Sequence, residues 1–578
     1  MIVLGIDGMD PVFLEQHWHQ LPNLDRLRRD GEFKRLGTTT PPQSPVAWST
    51  FITGLDPDGH GIYDFIHSDR ATRRPKSSMA ETLPGRKLRL GPYTLPLTAD
   101  RIENHRQGTP FWQTLANQGV PATILRMPTD YPPIDCEAHS LAGMGTPDLL
   151  GTFGTFTYFT DREDWKNRKL TGGLVVPATL AAHHAALRLP GPAASQVTIE
   201  AYVDPTEPVA RFDIGAERVV LKQGELSAWI PVRFPLTSAF GEASGMIRIY
   251  AKELHPRFGV YVSPVNIDPR DPAMPISKPE SFSRELASAA GPFYTQGMPY
   301  DTAAFRHGVF NRGEYLAHSR EVSRQTLGLL RSELTKFREG ILFFHFFGVD
   351  QDAHMLWGRY DEDLLDTYKL VDDMLGWVRR EAGDATLIVM SDHGFARFDR
   401  AVHMNTWLMR EGFLRLTHPW LTGPDELFVN VDWPRTKAYA LGLNGIYFNA
   451  ESGEDKQQVI GDIRQRLLSL RDPANGSPVV TSVDTTAAGP ELIVGYAPGY
   501  RGSWQTALGA VPAVLLEDNT DEWRGDHCMN PRAVPGVLMS NRRSAVADPR
   551  IEDVTVTILE SFGAQKEGRM KGRNLYVR

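Results

Sequence analysis

The stretch ATLIVMSDHGF, residues 385–395, joins an apolar run to a polar turn. The run ATLIVM predicts a buried β-strand, and Asp392 and His393 follow shortly after it. Neighbouring side chains of a regular strand point to opposite faces, but a turn at Gly394 lets both leave the carboxyl end of the strand together. We therefore predict a pair of metal ligands here; the alternative is a helix capped by Ser391 or Asp392.

Two other apolar runs end before acidic residues in the same way. Residues 1–6 precede Asp7, and residues 341–347 precede Asp350. Residues 360–380 have apolar side chains at helical spacing. Strands that alternate with helices form parallel sheets, and the carboxyl ends of parallel strands meet at one edge. The sequence therefore predicts an α/β fold with a doubly wound, mostly parallel sheet and helices on both faces. A helix over residues 23–29 and a strand over residues 121–125 belong to the same pattern.

The middle of the chain has a different pattern. Between residues 197 and 267, apolar and polar residues alternate with period two, and prolines and glycines separate the runs. This is typical of antiparallel strands. Residues 171–173 and 268–279 have the composition of linkers. We therefore predict a β-rich insert within a discontinuous α/β core. The predicted bounds are 1–165 and 285–578 for the core and 166–284 for the insert.

The composition excludes several classes of protein. Of 578 residues, 41% are hydrophobic and 23% are charged, which is typical of a globular protein and not of a disordered or coiled-coil chain. The net charge of −8 gives no overall basic field, so we expect no nucleic-acid polymer as a partner. Cys136 and Cys528 are the two cysteines and form no CxxC pair, which supports neither a disulfide scaffold nor a thiolate zinc site.

Nothing in the sequence predicts a membrane span or a signal peptide. A transmembrane helix needs about 18 consecutive apolar residues, and no stretch has them. Residues 1–11 lack the basic region and the apolar run of a signal peptide. We expect a cytoplasmic protein unless a leader was removed.

Two further segments carry candidate ligands or nucleophiles. Asp350 and His354 are four residues apart and share a face if the chain enters a helix, although Asp352 competes and a solvated acidic loop is the alternative. Residues 39–54 are rich in hydroxyl groups. A hydroxyl beside a divalent cation can act as a nucleophile, whereas serine and threonine in proline-rich segments more often form turns and caps.

Three more histidines need an assignment. His527 is a candidate ligand from a distant part of the chain, and Asp526 could orient it if the chain turns there. His403 follows the turn at residues 391–394 closely and is a rival, which we rank below His527. His60 is interpreted as a structural turn residue.

Together these segments resemble the alkaline phosphatase superfamily, and within it the type I phosphodiesterase and nucleotide pyrophosphatase branch. The most specific elements are Thr-Gly-Leu-x-Pro-x-x-His-Gly-Ile at residues 53–62 and Ser-Asp-His-Gly at residues 391–394. The resemblance covers about the first 70 residues and most of residues 340–540, but not the β-rich insert. It implies an alkaline-phosphatase-like sheet and a hydrolase of phosphodiesters or pyrophosphates.

The resemblance also implies a site for two divalent metal ions. Ser44 lies where the family has its serine or threonine nucleophile, and it would form a phosphoserine intermediate. Zinc is our first choice because the family favours it, and oxygen and nitrogen ligands also admit manganese. The expected substrate is a small-molecule phosphate ester. The implied ligands are Asp7, Ser44, Asp392 and His393 for one ion, and Asp350, His354 and His527 for the other.

One feature of nucleotide pyrophosphatases is missing. They carry an asparagine after the nucleophile that binds a phosphoryl oxygen, whereas no asparagine lies between Ser44 and Ile62. The backbone around Ser44 and Pro45, the side chain of Gln43, or an arginine would have to replace it. Four aromatic residues are candidates for stacking on a nucleobase or a sugar, although buried anchors are the commoner case. They are Trp48, Tyr496, Tyr500 and Trp504.

Other functions compete with phosphodiester hydrolysis. A phosphomonoesterase, or a phosphotransferase of the phosphoglycerate mutase type, would also use a serine and two metal ions, although the mutase insert is α/β rather than β-rich. A sulfatase would need a Cys/Ser-x-Pro-x-Arg segment, which is absent around Ser44. A binding protein with a silent core is disfavoured because all expected ligand positions are filled. We expect the insert to cover the metal site and select the substrate.

Overall fold

The structure is a computed structural model that describes residues 1–83, 87–90, 93–96, 101–236 and 241–577. The chain divides into two compact units. The predicted insert bounds, 166–284, remain a prediction. The first unit comprises Met1–Ile124, Cys136–Ala138 and Phe337–Arg578, and the second comprises Leu125–Asp135 and His139–Lys336.

Five strands of the first unit form a mixed sheet with a parallel centre. The strand Ile2–Ile6 lies between Ile341–Phe346 and Leu387–Met390 and pairs with both in parallel. Gly536–Ser540 and then Glu32–Leu36 continue the sheet in the antiparallel sense. The three central strands are buried along their whole length, which is why their sequences are continuous apolar runs. The predicted α/β fold with three parallel strands is confirmed.

The register of the parallel strands brings their carboxyl ends together. Ile6 lies opposite Phe346, and Gly5 lies opposite Met390. The chain leaves all three strands at the same edge of the sheet, because parallel strands run in one direction. The helix Gly348–Leu356 begins at this edge.

The helices of this unit pack in two groups. Pro22–Asp30, which includes the helix predicted over residues 23–29, contacts Asp361–Glu381, and the latter also contacts Gly348–Leu356. In the other group, Ile551–Ser561 packs against Ser44–Thr53. Predicted and observed helices agree within two residues at each end, because amphipathic spacing shows clearly in long surface helices.

The first unit contains many further short elements. Its helices are Pro11–His17, Trp18–Gln20, Pro22–Asp30, Ser44–Thr53, Pro57–His60, Phe111–Ala116, Gly348–Leu356, Asp361–Glu381, Met404–Arg410, Trp433–Arg435, Ala450–Ser452, Lys456–Leu468, Trp504–Ala507, Pro531–Ala533 and Ile551–Ser561. Its strands outside the central sheet are Ile66–Ser68, Pro75–Ser77, Ala80–Leu83, Lys87–Leu90, Tyr93–Pro96, Arg101–Asn104, Ala396–Val402, Ala438–Ala440, Gly445–Phe448, Val480–Thr485, Leu492–Tyr496, Gly499–Gly502, Leu516–Asp518 and Gly525–Asp526. The strand Ala122–Met127, predicted over residues 121–125, begins in the first unit and ends in the second.

The second unit is rich in antiparallel strands, as the alternating pattern predicts. Its longest antiparallel pair joins His184–Pro190 to Gln196–Val203. Two details differ from the sequence expectation. A strand begins at Gly173, inside a predicted linker, because it pairs with Phe156–Thr160. Within the alternating region, residues 246–254 continue one period-two pattern, but they belong to two strands that divide at Arg248, whose guanidinium donates to the Ser227 carbonyl.

The elements of the second unit are as follows. The strands are His139–Ala142, Phe156–Thr160, Gly173–Pro177, His184–Pro190, Gln196–Val203, Val209–Ile214, Glu217–Lys222, Ile230–Pro235, Glu242–Ile247, Ile249–Glu253, Gly259–Val262, Asn266–Ile267 and Ser277–Lys278. The helices are Glu163–Trp165, Pro192–Ala194, Phe282–Ala290, Thr302–Arg306 and Arg312–Leu334. Across the described part of the chain, no helix combines the length and the apolar character that a membrane crossing requires.

Substitution of Gly5 by alanine is expected to lower the free energy of unfolding by about 1–3 kcal/mol. A Cβ atom at Gly5 would lie 2.5 Å from Cη2 of the buried Trp48 and 3.1 Å from Cζ of Phe343. Urea unfolding would measure the change. Gly461→Ala is the matched control, because Gly461 lies exposed within the helix Lys456–Leu468 and an added Cβ atom would meet no other heavy atom within 4 Å outside the local helix backbone. The Gly461→Ala control should raise the free energy of unfolding slightly, because alanine favours a helix more than glycine does. An unchanged free energy of unfolding in Gly5→Ala would contradict the close contact of Gly5 with Trp48 and Phe343.

Candidate metal centre

The first group of polar side chains surrounds the Ser44 hydroxyl. The Ser44 Oγ atom lies 3.1 Å from Nε2 of His393 and 3.2 Å from Oδ1 of Asp7. The same Nε2 atom lies 3.2 Å from Oδ2 of Asp392 and 3.6 Å from Oδ1 of Asp7. All four residues are buried. One hydroxyl, one imidazole nitrogen and two carboxylates therefore converge on a single point.

Each member of this group is placed by its position in the fold. Asp7 follows the strand Ile2–Ile6 directly, and Ser44 is the first residue of the helix Ser44–Thr53. Asp392 accepts a hydrogen bond from the Gly8 backbone at 3.2 Å, which fixes its Oδ1 atom. A strand, Ala396–Val402, follows the turn at residues 391–395, so the alternative that Ser391 or Asp392 caps a helix is wrong.

The second group consists of Asp350, His354 and His527. Asp350 and His354 lie on the helix Gly348–Leu356, as their spacing predicts, with Nε2 of His354 3.5 Å from Oδ1 of Asp350. Nε2 of His527 lies 3.7 Å from the same oxygen. The Nδ1 atoms of both histidines contact backbone carbonyls, Gly525 at 2.8 Å and Pro42 at 2.7 Å. A carbonyl only accepts, so each Nδ1 carries the proton and each Nε2 is free to bind a metal.

The two groups adjoin each other. Ligand atoms of Asp7, Asp350 and His393 lie within 4.8 Å of one another, and so do those of Asp350, His354 and His527. Asp350 therefore belongs to both. The imidazole rings of His393 and His527 stack at a centroid distance of 3.6 Å with an interplanar angle of 10°. The structure thus brings all seven residues implied by the resemblance into one buried cluster.

The electrostatics of the cluster fit divalent cations. Burial, and then the charge of Asp7, raises the pKa of Asp350 and of Asp392 well above the ordinary range. Burial lowers the pKa of His354 to about 3 and also lowers the pKa of His393 and of His527. The imidazoles are therefore neutral, which is the form that binds metal.

Two carboxylate oxygens test directly whether the cluster fits divalent cations. Oδ1 of Asp350 and Oδ2 of Asp392 are buried, and neither has a hydrogen-bond partner among the described residues. A buried, unsatisfied carboxylate oxygen is costly, and such groups are normally paired or bound to a metal. The donor set of carboxylate and hydroxyl oxygens and imidazole nitrogens suits zinc or manganese.

A third cluster, Asp526, His527 and Cys528, is not a separate metal site. Ligand atoms of these residues lie within 4.8 Å of one another. However, each oxygen of Asp526 accepts two N–H groups at 2.7–2.8 Å. The Nδ1 atom of His527 already donates to the Pro42 carbonyl. Asp526 contacts His527 through the His527 backbone N–H and not through its imidazole, so any orienting effect of Asp526 acts through the backbone.

The roles of two residues that hold Asp7 were not predicted from the sequence. Nε1 of Trp48 and Nε2 of His345 both contact Oδ2 of Asp7 at 2.8 Å, and a carboxylate can only accept from them. Both are buried, so they orient Asp7 and leave its Oδ1 atom for the cluster. The sequence carried one usable signal, because His345 is a polar residue within the apolar run ILFFHFF.

The rival residues lie outside the cluster. Nε2 of His403 contacts Glu517 at 3.1 Å, and Oδ2 of Asp352 accepts a hydrogen bond from Thr367 on the helix Asp361–Glu381. His60 is buried and accepts the Ile62 backbone N–H at Nδ1, which confirms its structural role.

The structure also excludes one of the groups that the sequence offered for binding a phosphoryl oxygen, the side chain of Gln43. Nε2 of Gln43 donates to Oδ2 of Asp64 at 2.9 Å and to Oδ1 of Asn444 at 2.8 Å, so both of its protons are used. Gln43 therefore does not replace the missing asparagine. Of the four aromatic candidates for stacking, Trp48, Tyr496 and Tyr500 are buried, while Trp504 is 41% exposed.

Comparison with known proteins identifies the family. The profile of the type I phosphodiesterase / nucleotide pyrophosphatase family matches residues 1–191 and 263–521. The match covers well over half of the chain, and the chain belongs to this family. It is accordingly a phosphodiesterase/pyrophosphatase-type phosphoester hydrolase of a metal-dependent family. Two segments lie outside the match: residues 192–262, which fall within the predicted β-rich insert, and residues 522–578, which include His527.

Solved structures of similar proteins share little sequence with this chain. Phosphonoacetate hydrolase from Sinorhizobium meliloti 1021, in complex with phosphonoacetate, is 12% identical, with 97% of this chain and 95% of that chain covered and a TM-score of 0.46. Human ectonucleotide pyrophosphatase / phosphodiesterase 5 is 9% identical, with 98% and 96% covered and a TM-score of 0.42. Among curated protein sequences, none shows significant similarity to the chain.

Replacement of His345 by phenylalanine is expected to weaken metal binding about tenfold, because Asp7 loses one of the donors that orient it. Competition with a chromophoric chelator would measure the affinity. Phe344→Leu, on the same strand, controls for altered packing and should leave the affinity unchanged. Equal metal affinities in His345→Phe and the wild type would show that this hydrogen bond does not orient Asp7.

Proposed function

We propose that this protein hydrolyses phosphodiesters or pyrophosphates with Ser44 as the nucleophile and two divalent metal ions as cofactors. The observation that carries the proposal is the position of the Ser44 Oγ atom, 3.1 Å from His393 and 3.2 Å from Asp7. A hydroxyl among ligand atoms is the arrangement in which a cation activates it without a separate histidine base.

The two groups of side chains would hold one ion each. Asp7, Asp392 and His393, with Ser44, fit one ion, and Asp350, His354 and His527 fit the other. Bound at these groups, divalent cations would lower the pKa of the serine hydroxyl and of a water molecule and neutralise charge on the phosphoryl oxygens. We infer zinc as the first choice, with manganese admitted by the same ligands.

Ser44 would act in two steps. Its oxygen attacks phosphorus in line as the hydroxyl gives up its proton, and the bond from phosphorus to the departing alcohol or phosphate breaks. The departing oxygen takes up a proton, and the phosphoryl group, with its remaining substituent, stays bound to Ser44 as a phosphoserine ester. Water then attacks that phosphorus on the opposite side, the bond to the Ser44 oxygen breaks, and the hydroxyl recovers a proton.

Residues of the chain favour the attack of Ser44 on phosphorus. Ser44 opens the helix Ser44–Thr53, so its backbone lies at the positive end of the helix dipole, where an anionic phosphoryl group is favoured. The polar residues around it are buried and ordered by hydrogen bonds before the substrate arrives. Preorganised groups of this kind stabilise charge that develops in the transition state.

The substrate preference can be tested with bis-p-nitrophenyl phosphate and p-nitrophenyl phosphate. Chelator-treated enzyme should turn over neither compound, and added zinc or manganese should restore cleavage with the diester preferred. Release of p-nitrophenol measures both rates. A metal-dependent preference for the monoester would contradict the diesterase proposal and favour a phosphatase or a phosphotransferase.

Substitution of Ser44 by alanine is expected to reduce turnover at least about a thousandfold, because the group that forms the covalent intermediate is removed. The variant should still bind close to two ions per chain, since three ligands of the first group and all of the second remain. Metal content by elemental analysis and diester cleavage would be measured together. Full activity of Ser44→Ala would exclude Ser44 as the nucleophile.

A further inference from the structure

The buried ion pair between Arg501 and Asp526 lies beside the second ligand group. Nη1 of Arg501 donates to Oδ2 of Asp526 at 2.7 Å, and both side chains are almost completely excluded from solvent. Arg501 belongs to the strand Gly499–Gly502, and Asp526 to the strand Gly525–Asp526. Both strands pair with Ala396–Val402, which follows the turn that contains His393. The pair therefore joins two strands that flank the metal centre.

Asp526 organises the segment that carries His527. Its Oδ1 atom accepts the backbone N–H groups of His527 and Cys528, both at 2.8 Å. Its Oδ2 atom accepts Nε1–H of Trp523 at 2.8 Å in addition to Arg501. Four N–H donors thus fix the Asp526 carboxylate. Because two of these donors are backbone N–H groups of residues 527 and 528, the carboxylate also fixes the backbone that carries the His527 ring.

The same segment also contacts the other histidine of the group. The indole of Trp523 stacks on the His354 ring at a centroid distance of 3.8 Å, and the Gly525 carbonyl accepts the Nδ1–H of His354. A segment held by Asp526 therefore positions both imidazoles of the second ligand group.

Arg501 is itself held rigidly. Its Nε donates to the Gly502 carbonyl at 2.9 Å, and its guanidinium lies over the rings of Phe398 and Trp504, 4.4 Å and 4.0 Å from their centroids. An arginine confined in this way loses little further entropy when it binds a carboxylate. Removal of either partner of a buried ion pair leaves the other charge without its counter-charge, which is strongly destabilising.

We propose that Arg501 and Asp526 are positioning residues that set the metal affinity of the Asp350, His354 and His527 group. The inference rests on the proposed metal-dependent function and deepens it. Neither residue is a ligand. They act through the backbone at residues 525–528 and through Trp523, in the way that groups hydrogen-bonded to the surroundings of metal ligands commonly tune binding.

The test compares metal affinities of purified variants. Arg501→Met should weaken binding of one of the two zinc ions about 10- to 100-fold and leave the other unchanged, as measured by competition with chelators of graded affinity. Arg501→Lys should recover part of the loss, because an ammonium group can still donate to Asp526. Cobalt substitution adds a readout independent of activity, since the visible spectrum of one of the two ions should change.

Two further variants keep the test decisive if Arg501→Met folds poorly. Trp523→Phe keeps a ring beside His354 but removes the N–H donated to Asp526, and a smaller loss of affinity for the same ion is expected. Arg400→Met is the matched control. Arg400 lies opposite Tyr500 on the neighbouring strand and pairs with Asp472, away from Asp526, so metal binding should not change.

The outcomes separate this inference from the proposed function. Two ions bound with wild-type affinity in folded Arg501→Met and Trp523→Phe would overturn the positioning role and leave the proposed function intact. A wild-type protein that binds no zinc or manganese would overturn both. If Arg400→Met weakened metal binding as much as Arg501→Met, the loss would reflect general destabilisation of the protein. That result would also overturn the positioning role of Arg501 and Asp526.

Discussion

Three buried carboxylates at one edge of a parallel sheet impose the main constraint on this protein. Asp7, Asp350 and Asp392 follow neighbouring strands and lie together with almost no access to water. Such charges repel one another and lose hydration, which raises the pKa of Asp350 and Asp392. A bound divalent cation would remove this cost, which agrees with the metal dependence of the family.

The surroundings of the cluster serve to hold it in position. Trp48 and His345 hold Asp7, the Gly8 backbone holds Asp392, and backbone carbonyls hold the rings of His354 and His527. These contacts leave the ligand atoms facing inward. Hydrogen bonds of this kind orient the ligands and favour one arrangement of a buried site.

Much of the site could be predicted from the sequence, because strand ends and helical spacing are local properties. The carboxylates after apolar runs, and the i,i+4 spacing of Asp350 and His354, placed these residues correctly. The hydrogen-bond partners of Asp526 and Gln43 could not be predicted. Both depend on partners distant in sequence, Arg501 and Asn444 among them, and hydrogen bonds of this kind leave no periodic pattern.

By itself, the sequence determined the α/β class, the parallel core and the types of residue at the strand ends, since burial requires continuous apolar runs and a turn must follow them. Only the tertiary structure decided which distant side chains meet. In the sequence, only the family resemblance paired His527 with Asp350. The two meet although 177 residues separate them, and His403 stays apart, because the paths of the intervening strands fix where each ring lies. Long-range packing sets those paths, and no local pattern encodes them.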